Sequence, residues 1–133
     1  MNFKLFILTG LLSVGFAMTA SAGAVVDTDG DLVPDQFDNC RVVDNGPGDG
    51  SNQIDANLDG YGNRCDADYN NDGAINGGDF GAFVAAFNTA NATIDISGDG
   101  IVNGNDFNMF VAMFNTLVGP SGLACAGTIP CTP

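Results

Sequence analysis

The sequence predicts a mainly α and irregular fold, in which two loop–helix units pack as a helical pair behind an extended Asp-rich loop region with little regular secondary structure. Three observations carry this expectation. Shifted by 27 residues, the chain matches itself: "NGGDFGAFVAAFNT" (76–89) lies over "NGNDFNMFVAMFNT" (103–116), identical at ten of fourteen positions. Each copy places apolar residues at i, i+3, i+4 and i+7, one face of a helix: Phe80, Phe83, Val84 and Phe87, then Phe107, Phe110, Val111 and Phe114. All 16 acidic residues are Asp, and the segment before residue 67, where ten of them lie, has no apolar stripe.

From the N-terminus, residues 1–22 read as a secretory signal peptide: "MNFK", the apolar run "LFILTGLLSVGFAM", then the small residues Ala20, Ser21 and Ala22. The run is shorter than the ~20 residues of a spanning helix, so no membrane span is expected after cleavage; a membrane anchor is the alternative. The mature chain, beginning near Gly23, is expected to be secreted, extracellular or at the cell surface. With Lys4 gone, Arg41 and Arg64 are its only basic side chains, and its formal charge is one unit more negative than the −13 of the full sequence. Nucleic acid is not expected as a partner, because its phosphates would be repelled. Self-repulsion of that size also opposes a compact state unless cations neutralise it.

Residues 23–66 form the Asp-rich region. Within it, "DNGPGDGSN" (44–52) reads as turn or flexible connection by its Gly, Pro, Asn and Asp content. Residues 67–118 hold the two loop–helix units. Their Phe stripes read as two short helices packing on each other as the core; the other reading of such a stripe is a partner groove. Residues 119–133 read as an irregular tail closed by Cys125 and Cys131. Four cysteines in an exported chain, Cys40, Cys65, Cys125 and Cys131, favour two disulfides, for which the sequence alone allows three pairings.

The carboxylates have metal-loop spacing. Asp68, Asn70 and Asp72 stand at positions 1, 3 and 5 of a twelve-residue loop, Gly73 at 6, Ala74 at 7 and Asp79 at 12; the copy supplies Asp95, Ser97, Asp99, Gly100, Ile101 and Asp106. Alternate oxygen side chains in a tight loop converge on one point, Gly at 6 permits the turn, the backbone carbonyl at 7 adds a ligand, and the carboxylate at 12 closes a shell suited to calcium. A solvated acidic linker is the competing reading; two copies, each followed by an amphipathic helix, favour calcium. Ile75 and Val102 at position 8 are expected to form a short two-stranded contact between the loops.

These tandem loop-plus-helix units, "D-x-N-x-D-G-x-I-N-x-x-D" and its repeat, resemble the type I dockerin domain over residues 66–118. The resemblance implies a calcium-ordered module whose paired helices dock on a cohesin-like or other extracellular protein, as in assemblies that degrade plant polysaccharides. The hydroxyl residues that usually precede the position-12 Asp are replaced here by Gly77 and Gly78, then Gly104 and Asn105. Upstream, "DTDGDLVPDQFDNC" (27–40) and "QIDANLDGYGNRCD" (53–66) resemble thrombospondin type 3 repeats. That resemblance implies calcium ligation by Asp27, Asp29, Asp31, Asp35 and Asp38, and by Asp55, Asn57, Asp59, Tyr61 (through its carbonyl), Asn63 and Asp66, with Cys40 and Cys65 stapling the region. Leu32 holds position 6 of the first loop, where a positive φ would cost roughly 1–2 kcal/mol, so either that turn differs or that site is weaker.

Catalysis is not expected. The mature chain has no His, Lys or Glu, its cysteines are expected to be paired, and nearly every Asp is assigned to a metal shell. Two functions follow from the sequence: a secreted calcium-binding docking module, or a calcium-stiffened structural, adhesion or matrix protein of the thrombospondin type 3 kind.

Overall fold

The computed structural model describes residues 25–132; the signal-peptide expectation for 1–22 lies outside them. The observed fold is mainly α and irregular, as expected. A single 3-10 turn (Asp35–Phe37) is followed by two α-helices, α1 (Gly77–Ala86) and α2 (Gly104–Met113), and turns and loops make up the rest of the described residues. Neither helix is long and apolar enough to cross a membrane.

Each helix opens on two residues of which one or both are Gly, a poor start, and each compensates with the same cap. Asn76 accepts from the Gly78 amide at 2.8 Å while its own amide donates to Asp79 at 2.8 Å; Asn103 and Asp106 repeat this with Asn105. The position-12 carboxylate of each loop is thus also the residue that fixes the start of its helix. Both helices end alike, with Asn88 and Asn115 at positive φ (62° and 64°) and the Thr89 and Thr116 hydroxyls donating to the Ala86 and Met113 carbonyls.

The core differs from the expected helix-on-helix stripe. Of the eight stripe residues only Phe83 and Phe110 are buried, at 1% exposure each, with ring centroids 5.4 Å apart. The other six, Phe80, Val84, Phe87, Phe107, Val111 and Phe114, are 39–56% exposed. Ten-residue helices present too little mutual surface to bury whole stripes, and the loops complete the core instead with Ala67, Ile75, Ile94, Ile96 and Val102.

The expected Ile75–Val102 strand contact is replaced by a reciprocal exchange. The Ile75 amide donates to the Thr116 carbonyl (3.0 Å) and its carbonyl accepts from Asn115 (2.8 Å); Val102 does the same with Thr89 and Asn88 (2.8 Å each). Each loop therefore pins the chain leaving the other helix.

The Asp-rich region has a polar interior. Asp31, Asp38, Asn39, Asn45, Ser51 and Asn63 are buried around the Cys40–Cys65 disulfide. The 44–52 segment is built of turns, but it is no loose connection: the buried Asn45 donates its amide to Asp31 at 3.0 Å and accepts from the Gln53 amide at 2.9 Å. Among the described residues both basic side chains are engaged, Arg41 with Asp35 (3.3 Å) and Arg64 with Asp49 (3.0 Å). The C-terminal segment, closed by Cys125–Cys131, folds back as a strap on this region. Its Gly122 amide donates to Asp38, Gly127 to Asp59 and Cys131 to Leu58, while its Pro120 carbonyl accepts from Arg41.

Candidate metal centres

The four twelve-residue loops share one internal geometry. The position-1 carboxylate accepts from the amide at position 6 in every case: Leu32 to Asp27 (3.1 Å), Gly60 to Asp55 (2.8 Å), Gly73 to Asp68 (2.6 Å) and Gly100 to Asp95 (2.7 Å). The position-5 carboxylate accepts from position 7: Val33 to Asp31, Tyr61 to Asp59, Ala74 to Asp72 and Ile101 to Asp99, all at 2.8–3.0 Å. Positions 4 and 6 have positive φ throughout, and the position-12 carboxylates Asp38, Asp66, Asp79 and Asp106 are all buried.

Leu32 therefore takes the same turn as glycine does in the other loops, at φ 77°, and of the two expectations for this position the different turn is not the one realised. Its side chain is 81% exposed, so no packing offsets the left-handed conformation.

Carboxylate oxygens of Asp27, Asp29 and Asp31 lie within 4.8 Å of one another, as do those of Asp95, Asp99 and Asp106. Among the described residues, the loops at 55–66 and 68–79 do not gather three carboxylates so tightly. In the latter, Asp79 accepts from the amides of Asn70 and Asn76, and Asn70 accepts from Asp72. Ser97 donates to Asp95 at 3.3 Å. The carbonyls of Ala74 and Ile101 face the amide groups of Asn76 and Asn103, whose Nδ2 atoms also approach Asp72 (3.4 Å) and Asp99 (3.0 Å).

Two residues assigned as ligands have hydrogen-bond partners of other kinds. Asp35 accepts from the amide and hydroxyl of Thr28 (2.7 and 2.8 Å) and pairs with Arg41, partners that hold its carboxyl below the usual carboxylate range. Asn63 bridges its own loop and the second unit, accepting from the amide of Ala56 at position 2 and donating to the Ala92 carbonyl at 2.6 Å. Both accept the position-2 amide of their own loop, and each has a further partner outside it, Arg41 for Asp35 and the Ala92 carbonyl for Asn63, which loop spacing does not encode. Gln53, which sequence reasoning passed over, donates to Asp38 at 2.9 Å and accepts from the Asn39 amide, fixing the last carboxylate of the first loop from fifteen residues away.

The donor set fits calcium. Buried oxygens without a hydrogen-bond donor include Asp29 Oδ2 and Asp38 Oδ2, at positions 3 and 12 of the first loop, and Asn57 Oδ1, at position 3 of the second. Buried acceptors left unpaired are costly, and a hard cation taking six to eight oxygens would satisfy them. Burial pushes the Asp66 carboxyl up to about 8, and the carboxylates of Asp59, Asp68 and Asp55 push it the same way. Asp29 is raised by burial and by the charges of Asp31, Asp38 and Asp27. Such crowding is relieved by positive charge.

No family model matches the chain. No curated protein matches it either. Among solved structures, part of the chain is similar to a type II cohesin-dockerin domain from Bacteroides cellolosolvens, at 29% identity and a TM-score of 0.37, over 38% of this chain and 85% of that one. The comparisons lend no support to the thrombospondin type 3 likeness of the upstream loops.

Proposed function

We propose that this is a secreted calcium-binding protein whose ordered helical pair docks another extracellular protein, a cohesin-like domain being the first partner to test. The observation that carries the docking reading is the face left open by the helices. Phe80, Val84 and Phe87 of α1 match Phe107, Val111 and Phe114 of α2 in both sequence and exposure. They line two shallow apolar grooves of roughly 400 and 310 Å³. An exposed apolar patch of this kind on a small polar protein is characteristic of an interaction surface.

Calcium, when bound, would supply the positive charge that the carboxylates lack. Asp68, Asn70, Asp72, Ala74 and Asp79 would hold one ion; Asp95, Ser97, Asp99, Ile101 and Asp106 a second; Asp55, Asn57, Asp59, Tyr61 and Asp66 a third; Asp27, Asp29, Asp31 and Asp38 a fourth. Because Asp79 and Asp106 also fix the helix starts, order in the loops and order in the docking face are one equilibrium. No catalytic role is proposed, since the mature chain offers no His, Lys or Glu as acid, base or nucleophile. The adhesive or matrix alternative is less favoured, because the C-terminal strap folds back over the Asp-rich region and gives a closed body in place of an extended rod.

The test is capture from culture medium on the immobilised protein. A specific partner should be retained in millimolar calcium, released by EDTA, and lost on Val84→Asp with Val111→Asp. Retention unaffected by both changes would refute docking through this face.

A further inference from the structure

Asn63 occupies position 9 of the loop at 55–66, and its side chain ties that loop to a different one. It is 4% exposed. Its Oδ1 accepts from the Ala56 amide (3.0 Å), and its Nδ2 donates to the carbonyls of Ala92 (2.6 Å) and Asp95 (3.4 Å). Asp95 is position 1 of the loop at 95–106 and a member of its carboxylate group.

The two repeats differ at this point. In the first unit the residue three before position 1 is Cys65, tied to Cys40 by the disulfide, and its carbonyl accepts from the Gly119 amide at 3.1 Å. In the second unit the equivalent residue is Ala92, which has no covalent tie, and its carbonyl is held by the Asn63 amide. A second contact comes from the same side: a Cβ on Gly98 would stand 2.7 Å from the Gly50 carbonyl oxygen, so these backbones touch. Arg64 adds a third, with Nη1 at 3.5 Å from the Met109 sulfur on α2.

We infer that Asn63 is a positioning residue for the metal loop at 95–106. By holding the carbonyls of Ala92 and Asp95 it sets where the Asp95 carboxylate stands, so the affinity of that loop depends on the Asp-rich region as well as on its own unit. The inference rests on the calcium reading of that loop.

The full mature protein, labelled with nitrogen-15, allows each loop to be read separately through the amides of Gly60, Gly73 and Gly100, which donate to Asp55, Asp68 and Asp95. Groups that orient a metal ligand without touching the ion typically change affinity about 10- to 100-fold when altered. Asn63→Asp, which sets a carboxylate against two carbonyls, should weaken the calcium midpoint at Gly100 about tenfold and leave Gly73 unmoved. Asn63→Ala, losing the donor without adding charge, should shift Gly100 in the same direction by less, and it decides the matter if the Asp variant does not fold. An unchanged Gly100 midpoint overturns the inference, as does a parallel loss at Gly73 and Gly100, which would indicate general destabilisation. Weakening at Gly60 alone would make Asn63 a ligand of its own loop and overturn it too. If no glycine of the unaltered protein responds to millimolar calcium, the calcium reading itself fails, and the inference with it.

Discussion

At the scale of single residues, Leu32 is the clearest case of local conformation set against loop closure. The Asp27 carboxylate accepts from the position-6 amide whatever the side chain there, and this holds Leu32 at φ 77° with its apolar side chain in solvent. The left-handed region costs Leu roughly 1–2 kcal/mol. Glycine avoids that cost but loses up to about 1 kcal/mol in chain entropy, so Leu32→Gly should stabilise the protein by about 0.5–1 kcal/mol and tighten calcium at 27–38. Denaturant melts with and without calcium check this; a destabilised variant would mean that the exposed Leu makes a contact outside the loop. The sequence flagged this position correctly because the turn is local. It did not show the other partners of Asp35, Thr28 at position 2 of the same loop and Arg41 six residues on, because side-chain pairing is not written in ligand spacing.

At the scale of elements, neither helix would be stable alone. Helices shorter than ~12–15 residues are marginal in water, and these have ten residues each with Gly in the first turn. What holds them is the cap through Asp79 and Asp106 and the exchange by which Ile75 and Val102 pin the opposite helix exits. Excess EDTA should therefore abolish most of the helical circular dichroism, both helices together, and restored calcium should recover it; a spectrum indifferent to EDTA would separate helix order from the loops. The existence of both helices was legible from the repeat and the spacing of Phe, whereas their starts at Gly77 and Gly104 are set by the caps at Asn76 and Asn103. Which Phe would be buried was not, because a periodic stripe fixes a face and not its cover. Phe83 and Phe110 meet ring to ring, whereas Phe80 and Phe107 stay half open because Ile75, Ile94, Ile96 and Val102 enter from the loops to fill the remaining core.

At the scale of the whole molecule, a chain with formal charge −13 is held together by long-range contacts that no local pattern announces. The pairing of Cys40 with Cys65 follows the expected staple, and Cys125 with Cys131 the expected tail closure. The tail, however, is a strap: Gly122 reaches the carbonyl of Asp38, and Gly127 and Cys131 reach those of Asp59 and Leu58, within the two upstream loops. Each such bond contributes about 0.5–1.5 kcal/mol net, and all three bear on the loops at 27–38 and 55–66. Removing residues 121–133 should thus weaken calcium at the upstream loops, read at the Leu32 and Gly60 amides, while the Gly73 response changes little because its loop is held by its own helix and by Thr116. Loss at Gly73 equal to that at Gly60 would mean that the four loops order as one cooperative body, and that the strap closes the whole protein and not only its Asp-rich half.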